Sequence, residues 1–131
     1  MIGLDTNVLV RYIMQDDVKQ SPKATRLIES LDIENPGYIP TVSMVELYWV
    51  LTVSYELTTS QAAQALETVL RTKQFVVERA DQVMRALRLF DDGKADFADC
   101  LIERAASGAG CTQVVTFDVK ASKYAGMTLL T

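Results

Sequence analysis

Two short apolar runs in this chain end on an aspartate: Ile2-Gly3-Leu4-Asp5 near the start and Val114-Val115-Thr116-Phe117-Asp118 near the end. Such runs read as strands, and in an open parallel sheet ligands collect beyond the carboxyl ends of the strands. Both acids then lie on a ligand-facing edge, although an aspartate after a strand also serves as an ordinary helix cap. Glu46 has Val42, Ser43, Trp49, Val50, Val53 and Leu57 at helical spacing, which sets its carboxylate on a predominantly apolar stripe. A buried, unpaired carboxylate is costly and tends to take up a proton. A divalent cation shared with other carboxylates removes that cost. Ser43-Met44-Val45-Glu46 also fits the S-x-x-E capping box, which gives Glu46 a purely structural task. Asp96-Phe97-Ala98-Asp99 opens an alanine-rich helix, with Asp96 as a natural N-cap and Asp99 three residues on, near one side of the first turn.

Setting Asp5, Glu46, Asp99 and Asp118 aside from the 17 acidic residues leaves 13, equal to the 13 Lys and Arg. The formal charge of -4 thus matches one four-carboxylate site. Gathered together, four such groups repel one another, and Mg2+ or Mn2+ is the natural partner for hard oxygen ligands. The chain has no histidine, which excludes serine and cysteine triads with a histidine base and zinc sites built on imidazole. Cys100 and Cys111 form no CxxC pair and read as two buried thiols in a reducing cytosol rather than a disulfide.

The elements that must position these acids follow from periodicity and turn chemistry. Met1–Leu4 reads as a buried strand and Asn7–Met14 as a short helix. Ser21-Pro22 opens a second helix, with Leu27, Ile28 and Leu31 on its apolar side. Asn35-Pro36-Gly37 is a turn into a short strand, Tyr38-Ile39-Pro40. Val42–Leu57, the most apolar stretch, is long enough for a buried helix. Thr58-Thr59-Ser60 caps a helix through about Leu70. Phe75-Val76-Val77 is a strand, and Asp81–Phe90 a helix ended by Asp92-Gly93. Asp96–Ser107 is a helix stopped by Gly108 and Gly110. Gln113–Phe117 is a strand, Lys120–Tyr124 a short helix, and Met127–Leu130 a final strand. Short apolar strands alternating with helices predict an α/β protein, a three-layer α/β/α domain on a mainly parallel central sheet. At 131 residues and 49% hydrophobic, one domain over 1–131 is expected. Leu47–Tyr55, the charge-free part of the apolar centre, is far short of the ~20 residues a membrane span needs. With no basic start followed by an apolar block, a cytoplasmic protein without membrane association is expected.

Residues 1–12, Met-Ile-Gly-Leu-Asp-Thr-Asn-Val-Leu-Val-Arg-Tyr, strongly resemble the start of PIN-domain proteins, and in particular the VapC toxin branch of bacterial type II toxin–antitoxin systems. The likeness continues through Ser43 and Glu46, through Ala95-Asp96-Phe97-Ala98-Asp99-Cys100-Leu101-Ile102, and to Val115-Thr116-Phe117-Asp118. It implies a PIN-like ribonuclease domain in which Asp5, Glu46, Asp99 and Asp118 hold Mg2+, with Mn2+ as a substitute. Asp96 falls at a neighbouring acidic position that orients a water or the cluster. Thr6, Asn7, Ser43 and Thr116 match polar positions that hydrogen-bond around the site. The resemblance further implies an endoribonuclease toxin acting on RNA, with tRNA or rRNA loops as candidate targets. A small VapB-like antitoxin would inhibit it and supply any contact with operator DNA. Such proteins form homodimers, and here Tyr48, Trp49 and Tyr55 offer interface material.

Arg11, Lys94, Lys120 and Lys123 flank the acidic motifs and are candidates for guiding RNA phosphates. Two other readings compete. A haloacid-dehalogenase-like phosphohydrolase needs a second aspartate where this chain has Asn7. A catalytically silent PIN-like module that binds RNA or protein keeps the acidic pocket without turnover, and an RNA-cleavage assay with added metal separates it from the nuclease.

Overall fold

The computed structural model describes residues 1–90 and 94–131. The Asp92-Gly93 helix stop lies outside the described residues. The chain divides into two compact units, Met1–Ala80 and Asp81–Thr131.

The first unit opens with β1 (Ile2–Gly3) and α1 (Thr6–Met14), followed by α2 (Gln20–Glu29) and β2 (Gly37–Ile39). It continues through α3 (Thr41–Trp49), a π turn (Val50–Ser54), α4 (Thr59–Arg71) and β3 (Phe75–Val77). Its strands form a parallel sheet in the order β1-β2-β3, in register through Ile2 with Gly37 and Tyr38 with Val76. Parallel neighbours require crossover connections, and the helices supply them. β1 is an edge strand only two residues long. The buried strand expected over 1–4 is therefore buried only at Leu4, while Ile2 is 40% exposed. Leu9, Ile28, Ile39, Met44, Leu47, Leu51, Ala62 and Leu66 are fully buried and form the core, with α1 packed on α2 and α3, and α4 on α3.

Local chemistry sets the helix ends. α1 stops where Gln15 takes a left-handed conformation, φ 51°, steadied by its own amide, which donates to the Tyr12 carbonyl and to Thr25 Oγ1. α2 begins ahead of Ser21-Pro22, because Asp17 Oδ1 accepts the Lys19 and Gln20 amides at 3.0 and 2.7 Å. α4 starts on a true capping box: the Gln61 amide donates to Thr58 Oγ1 and the Thr58 amide to Gln61 Oε1.

The second unit holds α5 (Ala80–Phe90, beginning at the unit boundary), α6 (Phe97–Gly108), β4 (Val115–Thr116), α7 (Val119–Tyr124) and β5 (Thr128–Leu129). β4 and β5 pair in parallel, Val115 with Thr128, across the short α7 crossover. Both are shorter than the strands expected from β-branched residues alone. Val83, Leu87, Phe90, Phe97, Cys100, Leu101 and Met127 are buried there, and Phe90 meets Phe97 edge to face at 6.1 Å. α6 ends as glycine chemistry predicts: Gly110 takes φ 95°, and the Cys111 amide reaches back to the Ala106 carbonyl. Cys100 is buried, Cys111 is exposed, and both are free thiols.

Among the described residues every strand pairing is parallel and helices flank the strands, the α/β/α arrangement with mainly parallel pairing that the sequence predicts. Among the described residues no helix is long and apolar enough to cross a membrane.

Candidate active site

Asp5 follows β1 directly and is the N-cap of α1, its Oδ1 accepting the Thr6 amide at 2.8 Å. The cap fixes the first residue of the helix, and Thr6 is almost fully buried. The Thr6 hydroxyl donates to Glu46 Oε1 on α3. Thr6, at the start of the first helix, thus ties the second acid to the first across forty residues of sequence. Asp5, Thr6, Asn7, Val10, Arg11, Glu46, Val50 and Tyr55 line one cleft of about 420 Å³.

Glu46 reaches this cleft for a different reason from the one its pattern gives. Its stripe is not a buried one: Val42, Trp49 and Val53 are 71%, 58% and 55% exposed, and Glu46 is exposed with them. The helix buries the opposite side, Met44, Leu47 and Leu51. Nor is Ser43-x-x-Glu46 a capping box. α3 starts at Thr41 after Pro40, and its end is capped from afar: the Thr41 amide donates to Glu78 Oε1 at 2.9 Å. Ser43 lies within the helix, and Glu46 is left to face Thr6.

In the second unit Asp96 occupies the N-cap position of α6, yet its side chain makes no capping hydrogen bond. Asp99 sits in the first turn, half-buried. Burial pushes its carboxyl above the usual carboxylate range, and the negative charges of Asp96 and then Asp118 push it further. These three acids are therefore electrostatic neighbours. Asp118 is the N-cap of α7, its Oδ1 accepting the Lys120 and Ala121 amides at 2.8 and 3.2 Å, while its own amide donates to Thr116 Oγ1. Thr116 thus bonds the backbone of Asp118 and not its carboxylate.

The structure thus pairs Asp5 with Glu46 through Thr6 in one unit, and sets Asp96, Asp99 and Asp118 near one another in the other. Among the described residues no three acidic or thiol side chains are drawn together closely enough to hold a metal ion as placed. The donor set nonetheless suits a hard divalent cation. It consists of carboxylates alone, and the negative charges of Asp96 and Asp118 help to raise the Asp99 carboxyl, a repulsion that such a cation relieves.

Of the basic candidates, Arg11 is in the cleft. Its Nε donates to Gln20 Oε1 at 2.7 Å, and its Nη1 donates to the Tyr55 hydroxyl at 3.1 Å and lies 3.5 Å from Asp16 Oδ1. Lys94 stacks its ammonium over Tyr124, 5.4 Å from the ring centre. Lys120 and Lys123 are exposed on α7. Sequence reasoning missed the cluster of Tyr55, Gln20 and Asp16 around Arg11, because a π turn delivers Tyr55 and no local residue pattern announces one. It also missed Glu103, buried on α6 and paired with the adjacent Arg104.

The parallel α/β fold and the acids at its strand ends agree with comparison to known proteins. The PIN domain profile matches residues 2–127, and the chain belongs to the PIN domain family. It is also similar to a VapC ribonuclease of Aquifex aeolicus (strain VF5), at 25% identity over 126 residues, covering 96% of this chain and 93% of that one.

Proposed function

We propose that this protein is a metal-dependent endoribonuclease that hydrolyses RNA phosphodiester bonds, a toxin restrained by a cognate antitoxin. The observation that carries the reading is the cleft in which Thr6 holds Glu46 beside Asp5, two carboxylates next to an arginine. The family match spans both units, which supports their acting as a single PIN-like domain over 1–131. In this reading Asp5, Glu46, Asp99 and Asp118 are the residues that hold Mg2+ or, in its place, Mn2+. The chemistry such an ion supplies is a water of lowered pKa and a positive charge opposite the phosphate.

The protein's own residues do the rest. The Thr6 hydroxyl and the α7 amides hold Glu46 and Asp118 each by one oxygen, so that these carboxylates are oriented before a ligand arrives. Asp96, with no capping bond, orients a water or takes its proton. Lys120 and Lys123 beside Asp118 guide the RNA strand. The proposed substrates are loops of transfer or ribosomal RNA. The proposed inhibitor is a small VapB-like antitoxin, through which alone operator DNA is contacted. Exposed Trp49, with Val42 and Val53 on the same side of α3 and the π turn, supports a homodimer through that face, to which Tyr48 and Tyr55 lie close in sequence.

The test is cleavage of a panel of structured RNAs with Mg2+ or Mn2+ and with excess chelator. Cleavage with metal, lost in chelator and in Asp5→Asn, is the expected result. Full cleavage in chelator or by Asp5→Asn overturns the mechanism, and RNA binding without turnover favours the silent module.

A further inference from the structure

We infer that Arg11 binds the RNA phosphate beside the carboxylates, and that Tyr55, delivered by the π turn, positions it there. The inference rests on the nuclease reading and adds to it the residue that receives the substrate's charge. Carboxylates repel phosphate, so a site lined by Asp5 and Glu46 needs a cation of its own that does not collapse onto the acids. Arg11 lines the same cleft, yet among the described residues its ion pair is with Asp16, not with Asp5 or Glu46. Three partners hold it in that state: Gln20 takes Nε, while Tyr55 and Asp16 take Nη1. Nη2 has no protein partner among the described residues. The guanidinium is thus held through Nε and Nη1, which leaves the Nη2 hydrogens to donate to a phosphate oxygen.

The π turn is what makes this possible. The Val50 amide donates to the Glu46 carbonyl, one ordinary helical step, but the Tyr55 amide donates to the Val50 carbonyl, a step of five residues. Glu46, Val50 and Tyr55 are thereby stacked, and all three line the cleft. In an uninterrupted α-helix Tyr55 would lie about 180° around the axis from Glu46. π turns of this kind recur at functional sites. The Tyr55 hydroxyl accepts from Arg11 and is bonded to the Asp16 carboxylate, which pushes the phenol up and keeps its proton in place.

The test uses the full chain and a short fluorescent single-stranded RNA, titrated in chelator at several KCl concentrations, with thermal melting of each variant. Arg11→Gln is expected to weaken binding about tenfold and to flatten the slope of log affinity against log salt by about 0.7. In steady-state cleavage it raises KM more than it lowers kcat. Arg11→Lys keeps the charge and restores most of the slope. Tyr55→Phe melts near the wild type but loses part of the affinity, whereas a merely structural tyrosine would move the melt and leave the binding unchanged. Unchanged affinity and slope in both Arg11→Gln and Arg11→Lys, with wild-type cleavage intact, overturns this inference and leaves the nuclease reading standing. A wild type that neither binds nor cleaves RNA overturns both. Arg11-dependent binding of an acidic peptide in place of RNA assigns the guanidinium to protein carboxylates and also overturns it.

Discussion

Thr6→Val isolates the single bond that joins the two acids of the first unit. Valine has the shape and β-branching of threonine, so at this nearly buried position the substitution opens no cavity and keeps the start of α1. What disappears is the donor to Glu46. A hydrogen bond to a charged group is worth about 1.5–3 kcal/mol, but Glu46 is exposed and water can take the place of the hydroxyl, which brings the loss to about 1 kcal/mol. For a chain of this size that lowers the melting temperature by about 3–5 °C. The functional effect is expected to be larger than the structural one. Freed from Thr6, Glu46 samples other rotamers, and loss of such a support costs about 10–100-fold in metal affinity or activity. The assay is RNA cleavage as a function of Mg2+ concentration beside a thermal melt, with Thr6→Ser, which restores the hydroxyl, as the rescue. A Thr6→Val protein that melts as expected and cleaves with unaltered Mg2+ dependence refutes the reasoning, because the bond would then hold the fold without organising the acid.

The pH dependence of stability should carry two opposite signatures. Asp99 has a folded pKa above its unfolded value, so its favourable contribution is fully present below the unfolded pKa and is lost as pH rises through the folded one. Urea denaturation in chelator should show Asp99→Asn gaining on the wild type across that window, and a gain confined to lower pH would contradict the assignment. Asp17 runs the other way: the Gln20 amide foremost holds its carboxylate below the usual range, so its stabilisation exists above the unfolded pKa and fades as pH falls through the folded one. Asp17→Ala should therefore lose stability at neutral pH and little in strong acid. Leu66→Ala, fully buried on α4, should cost about 2–5 kcal/mol in urea, and a smaller loss would mean that the first unit's core closes over the gap.

Much of this was legible because it is local. Asp5 and Asp118 end strand-like runs, and the structure puts each at the start of the helix that follows. Asp96 and Asp99 were readable from their spacing on an alanine-rich helix. The reason for singling out Glu46 does not hold. In a helix as apolar as Val42–Leu57, periodicity cannot say which side is inward, and the stripe that carries the glutamate is the exposed one. The capping-box reading failed because Glu78, after β3, supplies the cap of α3, and a partner that distant leaves no trace in a four-residue motif. Asp17 displaced the expected start of α2 in the same manner, by offering an acceptor ahead of Ser21-Pro22. The π turn had no signature at all, since one additional residue per turn changes hydrogen bonding without changing composition, and with it went the place of Tyr55 beside Arg11.

Three of these carboxylates are each held by one oxygen. Asp5 gives Oδ1 to an amide of α1, Asp118 gives Oδ1 to two amides of α7, and Glu46 gives Oε1 to the Thr6 hydroxyl. Each of the three keeps its other oxygen clear of hydrogen bonds among the described residues. Asp5 and Asp118 cap helix N-termini, so the capping bonds aim these two carboxylates. Asp99, in the first turn of α6 but without a capping bond, is the one whose carboxyl is pushed up by burial and by its neighbours. A divalent cation beside Asp99 would offset the negative charges that push its carboxyl up, so loading with Mg2+ should cancel the pH-dependent advantage of Asp99→Asn.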